Sequence, residues 1–246
     1  MEILRLDNEV HVWYTNSTDN KHDLTALWQT LTSEERIRAD RFITPILRRN
    51  FIIARGVLRQ LLAYYTQIPA TAIAFKQNAY GKISLETNNS TLQNNHLEFN
   101  LSHSGDLILY AFTLKHAIGV DIEKIRPIKD SHVLAKRFFS SKEIIALNAL
   151  PKDDHQVGFF TCWTRKEAFI KALGIGLSYP LNKFTVSIDQ HPKHWTLQIE
   201  NTEKMAMAGV ETNFKNWSFL TLNQTPKYAA ALAIQGKIDK ILNFEY

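Results

Sequence analysis

Two short stretches of this 246-residue chain place acids and bases at spacings that chemistry can use. Gly119-Val120-Asp121-Ile122-Glu123 alternates like a strand. Successive strand side chains face opposite sides, so Asp121 and Glu123 point one way while Val120 and Ile122 point into a core. Two carboxylates on one strand face repel each other, and a hard divalent cation relieves that repulsion. Mg²⁺ takes one or two carboxylates and completes its shell with phosphate and water. Trp163-Thr164-Arg165-Lys166-Glu167-Ala168-Phe169-Ile170-Lys171-Ala172-Leu173-Gly174 reads as a helix. Trp163, Glu167 and Lys171 recur at every fourth residue and share a stripe, leaving Phe169, Ala172 and Leu173 for the core. A Glu one turn from a Lys suits phosphate chemistry: the acid binds metal or takes a proton, and the ammonium offsets phosphate charge. Each signal has a plainer reading when taken alone. Asp-x-Glu also occurs on solvated strand faces, and a Glu–Lys pair at this spacing steadies a helix by ~0.2–0.5 kcal/mol.

Phe99-Asn100-Leu101-Ser102-His103-Ser104-Gly105-Asp106 starts like a strand and runs into small polar residues. Ser102, His103 and backbone N–H groups near Gly105 can cradle a phosphate, although a plain turn between strands has the same composition. Arg48, Arg49, Arg55, Arg59 and Lys82 give the first half a basic cluster. Lys82 follows Tyr80-Gly81, a turn expected to project it. Arg meets phosphate with a fork of donors and Lys with a point charge; a solvated basic face is the plainer reading.

The elements that must position these groups appear twice. Val10 to Tyr14 alternates as a strand. Thr32-Ser33-Glu34-Glu35 is a capping box opening a helix that carries Arg36, Arg38, Asp40, Arg41 and Phe42, and Phe51 to Leu62 forms a second helix. The other half repeats the pattern with a strand at Ile118 to Glu123, a short helix at His132 to Phe138, a capping box at Ser140-Ser141-Lys142-Glu143, and a long helix from Phe159 to Leu173 stopped by Gly174. Strand-like segments follow in each, Ala72 to Leu85, then Phe184 to Ile188 and Trp195 to Ile199. The order recurs at roughly 110 residues. This predicts an α+β chain of two similar lobes packed as a pseudo-dimer, residues 1–115 and 116–246, with a ligand in the cleft between them. Asn88 to Asn95 reads as a polar loop.

The bulk composition narrows the function classes. Hydrophobic residues make up 45% and charged residues 22%, as in soluble globular proteins. The net charge of +5 favours an anionic partner without choosing among nucleic acid, a phosphorylated small molecule and an acidic protein surface. One cysteine, Cys162, allows neither an internal disulfide nor a thiolate zinc site. No run of 18 apolar residues predicts a membrane span. The stretch Met1 to Arg5 lacks the character of a signal peptide, so the expected location is the cytoplasm.

In combination and in this order, the motifs resemble those of the Sfp-type 4'-phosphopantetheinyl transferases. The matching pieces are Tyr80-Gly81-Lys82, Phe99-Asn100-Leu101-Ser102-His103-Ser104, Gly119-Val120-Asp121-Ile122-Glu123, Phe138-Phe139-Ser140 and Trp163 through Lys171, with Gly174-Ile175-Gly176-Leu177 following. The resemblance covers roughly residues 31 to 188. It implies transfer of phosphopantetheine from coenzyme A to a serine of an apo carrier protein, releasing 3',5'-ADP, by a monomer with the family's two-lobed fold. It implies Mg²⁺ on Asp121, Glu123 and Glu167, phosphate contacts from Lys171, and Ser102 and His103 at the 3'-phosphoadenosine end. Lys82, Arg49 and Arg55 would hold other phosphates, and Asp121 would also face the diphosphate. Glu35 stands where some members carry a lysine. Glu167 is the first candidate for the base that takes the serine proton, and Glu123 the second. Phe138 and Phe139 are read as core aromatics first and as part of a docking surface second. The alternatives are a non-catalytic coenzyme A or nucleotide-binding module and a nucleic-acid binder. The latter lacks any RNP, zinc-finger or basic-region signature.

Overall fold

The structure, a computed structural model, describes residues 6, 8–86, 96–176, 179–189, 194–199, 216–222 and 225–246. The expected polar loop at Asn88 to Asn95 lies outside the described residues, as do Met1 to Arg5 and Leu177.

The first half runs β1 (Glu9–Asn16), α1 (Leu24–Thr30), α2 (Ser33–Asp40), α3 (Pro45–Thr66), β2 (Phe75–Gln77), β3 (Ile83–Leu85), β4 (Leu97–Ser104) and β5 (Leu107–Leu114). The second runs β6 (Ile118–Lys124), α4 (Ser131–Phe138), α5 (Ser141–Ala149), α6 (His155–Leu173), β7 (Phe184–Val186), β8 (Leu197–Ile199), β9 (Trp217–Thr221) and β10 (Tyr228–Gln235), and β11 (Lys240–Glu245) follows. Among the described residues, one strand, three helices and four strands thus occur twice in the same order. The first sheet is ordered β11-β1-β5-β4 and the second β6-β10-β9, with β2–β3 and β7–β8 as small hairpins. β11 pairs parallel with β1, so the last strand returns to the first half.

Both sheets alternate strictly. On β5, Ile108, Tyr110 and Phe112 join the core beneath α3. Leu107, Leu109 and Ala111 meet Ile118, Val120, Ile122, Leu232 and Ile234 between the sheets. A fully buried side chain of this kind contributes about 1.5–3 kcal/mol, so the inter-sheet core is what holds the two sheets together. Towards α6 the second sheet presents Ala229, Ala231 and Ala233, small residues that let the helix lie close.

The helix starts follow from their caps. Thr32 and Glu35 complete a capping box on α2, and Ser140 and Glu143 complete one on α5. Each box glutamate also accepts a cation from the long helix of its own half. Arg59 Nε reaches Glu35 Oε2 at 2.7 Å and donates to the carbonyls of Ala70 and Ile73. Lys166 Nζ reaches Glu143 Oε1 at 2.8 Å and donates to the carbonyls of Leu181 and Phe184. Both hubs tie the capped helix, the long helix and the approach to the next hairpin at one buried point. The α2 helix ends at Asp40, so Arg41 caps it and Phe42 lies beyond. The strand expected over Ala72 to Leu85 is two short strands around a turn, and β7 and β8 are shorter than their expected ranges.

Candidate active site

Gly119 decides how closely β6 approaches α6. A Cβ there would overlap the Ala168 carbonyl and the Ala172 N–H of the helix. With glycine at 119, the next two side chains on that strand face, Asp121 and Glu123, come against the helix stripe of Trp163, Glu167 and Lys171. α6 is buried along most of its length, and this stripe is half-exposed. Asp121 is not a solvated strand acid, being 3% exposed. Trp163 closes one end of the stripe with an edge-to-face contact on Phe138 at 5.4 Å. Phe139 is buried in the core.

β4 and β6 lie side by side without a backbone ladder between them. Asn100 Oδ1 accepts from Val120 N–H at 2.9 Å, Ser102 Oγ from Ile122 N–H at 3.4 Å and Ser104 Oγ from Lys124 N–H at 3.1 Å. Two lysines take the carbonyls on the same edge. Lys82 Nζ donates to Ile118 O at 3.3 Å, and Lys171 Nζ contacts Val120 O at 3.4 Å. Backbone polar groups of a buried strand need partners, and here side chains supply them. The result is a polar crevice between the two sheets, floored by β6.

Within it, Lys171 Nζ binds Asp121 Oδ1 at 2.6 Å and Ser102 Oγ at 2.9 Å. Ser102 Oγ donates to Asp121 Oδ1 at 2.7 Å, and Ser104 Oγ donates to Glu123 Oε2 at 2.7 Å. Asp121 Oδ2 is buried without a hydrogen-bond partner. Burial pushes the Glu167 carboxyl up to about 7, helped by the charges of Asp121 and Glu123 and opposed by Lys171. Burial also raises Glu123; its hydrogen bond from Ser104 opposes the shift and the charge of Asp121 adds to it. Three carboxyl groups gathered around one buried, unpartnered carboxylate oxygen fit a divalent cation, the species that would neutralise all three. Among the described residues no three His, Cys, Asp or Glu side chains already form a metal-ready cluster. The ammonium of Lys171 is the cation now closest to Asp121.

The other expected site residues are placed differently. His103 is exposed, on the β4 face opposite Ser102, and its pKa is lowered by its protein surroundings and by Lys171. Lys82 does not project into solvent. Its ammonium also donates to Ala172 O at 2.9 Å, and Asn78 Nδ2 donates to Gly174 O at 2.7 Å, so the β2–β3 turn is fastened to the end of α6. Burial lowers the Lys82 pKa. Ser102 and His103 lie within β4, and only Gly105 and Asp106 make the turn. Arg49 ties the segment after β1 through Ser17 O at 3.0 Å and Asp19 O at 2.9 Å. Arg55 pairs with Glu35 at 3.3 Å and lies over Phe75. It lines a cleft of about 560 Å³ together with Arg38, Phe51, Phe75 and Glu34. Asp121, Glu123, Glu167, Lys171 and Ser102 therefore converge on one crevice, Lys82 lies further along β6, and Arg49 and Arg55 stand on α3. Sequence reasoning assigned no role to Ser104 or to the Lys166–Glu143 pair. Ser104 was legible as the next same-side residue after Ser102 at strand period.

A model described as the 4'-phosphopantetheinyl transferase superfamily matches residues 117–233. One described as 4'-phosphopantetheinyl transferase, N-terminal, matches residues 16–115. The chain is 39% identical over 173 residues to the 4'-phosphopantetheinyl transferase HetI of Nostoc sp., covering 70% of this chain and 72% of that one. It is 30% identical over 214 residues to the 4'-phosphopantetheinyl transferase ffp of Bacillus subtilis, 82% of this chain and 92% of the other. The 4'-phosphopantetheinyl transferase Sfp of Bacillus subtilis is 36% identical over 160 residues, 65% of this chain and 67% of its own.

Proposed function

The chain belongs to the Sfp-type 4'-phosphopantetheinyl transferase family, and from that premise we propose that it moves the phosphopantetheine arm of coenzyme A onto a serine of an apo carrier protein, releasing 3',5'-ADP. The observation that carries the placement of the chemistry is the buried, unpartnered Asp121 Oδ2 beside Glu123, Glu167 and Lys171.

The acceptor serine oxygen forms a bond to the β-phosphorus of coenzyme A as the bond to the bridging oxygen of 3',5'-ADP breaks. In phosphoryl transfer a protein mostly positions the reacting groups and stabilises their charge. Asp121, Glu123 and Glu167 would hold Mg²⁺, which when bound supplies charge neutralisation and polarisation at the diphosphate. Lys171 offsets charge growing on the leaving phosphate, already oriented by Asp121 and Ser102. Lys82 extends the basic path along β6. Ser102 from inside the crevice and His103 from the opposite face of β4 would serve the 3'-phosphoadenosine end, and Arg49 and Arg55 would supply further phosphate contacts from α3. Glu167 accepts the serine proton, directly or through water, with Glu123 as the second candidate; a water relay suits a carboxylate that would also hold a dication.

The two element sets act as two lobes of a cytoplasmic monomer, meeting between residues 115 and 116, with β11 returning from the second lobe to the first sheet. Among the described residues no helix is long and apolar enough to cross a membrane. The test is intact-mass analysis of apo carrier proteins incubated with this protein, coenzyme A and Mg²⁺. The expected result is a gain of one phosphopantetheine arm on the carrier; no gain on any carrier across the fatty-acid, polyketide and peptide classes would sink the proposal.

A further inference from the structure

We infer that Ser104 is a positioning residue that aims Glu123 into the metal site, as Ser102 aims Asp121. The inference rests on the reading of Asp121, Glu123 and Glu167 as metal ligands.

A serine hydroxyl has one hydrogen to give and lone pairs to receive. The backbone N–H of Lys124 can only donate, and it takes a lone pair of Ser104 Oγ at 3.1 Å. The hydroxyl hydrogen is thereby left for Glu123 Oε2 at 2.7 Å. The same arithmetic holds one step earlier. Ile122 N–H and Lys171 Nζ both donate to Ser102 Oγ, leaving its hydrogen for Asp121 Oδ1. In each case the strand N–H orients the hydroxyl, and the hydroxyl binds one oxygen of the carboxylate just before that N–H. The other carboxylate oxygen is left for a ligand. Asn100 makes the third rung, to Val120 N–H. The residue before Val120 is Gly119, so this rung bridges strands without aiming any acid.

The turn that follows Ser104 is fastened in two places. Lys124 Nζ pairs with Asp106 at 3.0 Å, and Asp106 N–H donates to Tyr228 Oη at 3.2 Å, which fastens the β4–β5 turn to the second sheet. A hydroxyl on such a support is an oriented partner for a metal-binding carboxylate, and loss of such a partner typically weakens metal binding ~10–100-fold.

The test compares wild-type protein with S104A, S104T and N100A. Mn²⁺ binding is measured by calorimetry with coenzyme A present and no acceptor, alongside thermal melting and the Mg²⁺ dependence of transfer. The expected result for S104A is Mn²⁺ binding weakened ~10–100-fold, with a parallel rise in half-saturating Mg²⁺. S104T, which keeps the hydroxyl, restores both. N100A melts lower with unchanged Mn²⁺ affinity. S104A with wild-type Mn²⁺ affinity and only a lowered melting temperature overturns the inference, as does S104T behaving like S104A. Wild-type protein that binds no Mn²⁺ and transfers equally well without divalent metal overturns the reading of the site, and this inference with it.

Discussion

The two halves meet their long helices with matched hubs and unmatched neighbours. Arg59 on α3 and Lys166 on α6 each join a capping-box glutamate to two carbonyls before the next hairpin. One residue later the halves diverge, to Gln60 in the first and Glu167 in the second. The strand beneath α3 brings His11 and Trp13 to one hydroxyl, Tyr65 Oη, at 2.7 and 2.8 Å. The strand beneath α6 brings Asp121 and Glu123 towards Glu167, with Asp121 Oδ2 unpartnered. The first joint is complete in itself, and the second leaves one buried carboxylate oxygen without a partner. Buried polar groups are normally satisfied, so a duplicated scaffold with one joint closed and the other open marks where a ligand acts.

The comparison breaks first at Asp121. Asp121→Ala should lower the transfer rate by about 10³-fold or more, the loss expected when several kcal/mol of charge stabilisation is removed. Its melting temperature should stay close to wild type, since the substitution also removes mutual repulsion. Rates by intact mass and melting by calorimetry check both parts; normal turnover in this variant would mean that the open joint is not the reaction centre. Lys171→Ala should cost about 10²–10³-fold in kcat, as for loss of a single donor aimed at developing charge, and should also lower the melting temperature, because buried Asp121 loses its cation.

The hubs predict the reverse pattern, a loss of stability. Lys166→Ala leaves Glu143 buried with no cation, which costs about 3–5 kcal/mol for a broken buried pair. Arg59→Ala should cost less, because Glu35 keeps Arg55 at 3.3 Å and is slightly exposed. Denaturant unfolding of both variants measures the difference, and equal losses would show that Arg55 gives Glu35 no compensation.

Much of this was legible in the residues. The repeat shows in the order of strand and capped helices. The stripe is written in the spacing of Trp163, Glu167 and Lys171, whereas the close approach of α6 over Gly119 shows only in the packing. What escaped the sequence depends on contacts distant along the chain. Nothing local says that Asn100, Ser102 and Ser104 stand in for a backbone ladder, because the distance from β4 to β6 is a tertiary fact. Lys82 follows a turn and reads as projected, yet carbonyls at the end of α6 and the start of β6 draw its ammonium inward. β11 has unremarkable composition, and only the free edge of β1 makes it a strand. The hubs were half legible: the capping boxes could be read, but not the buried cations that turn their glutamates into anchors.

The smallest expected effect separates the two boxes themselves. Thr32 is half-buried; its Oγ accepts from Glu35 N–H at 3.3 Å and its hydroxyl otherwise serves only the solvent-exposed Glu34 carboxylate, so Thr32→Ala should cost ~1 kcal/mol, as for removal of an ordinary helix cap. Ser140 is 6% exposed, and its Oγ accepts both from Glu143 N–H at 3.3 Å and from Thr185 Oγ1 at 2.8 Å. Ser140→Ala therefore strips the cap and also leaves the Thr185 hydroxyl short of a partner, so its cost should approach ~2 kcal/mol. Double substitution with Thr185→Val tests the source of the excess. If the second hydrogen bond is responsible, Ser140→Ala in the Thr185→Val background falls back to the Thr32→Ala value. An unchanged cost there would place the asymmetry in the cap itself, and the two halves would differ at their helix starts as well as at their strand–helix joints.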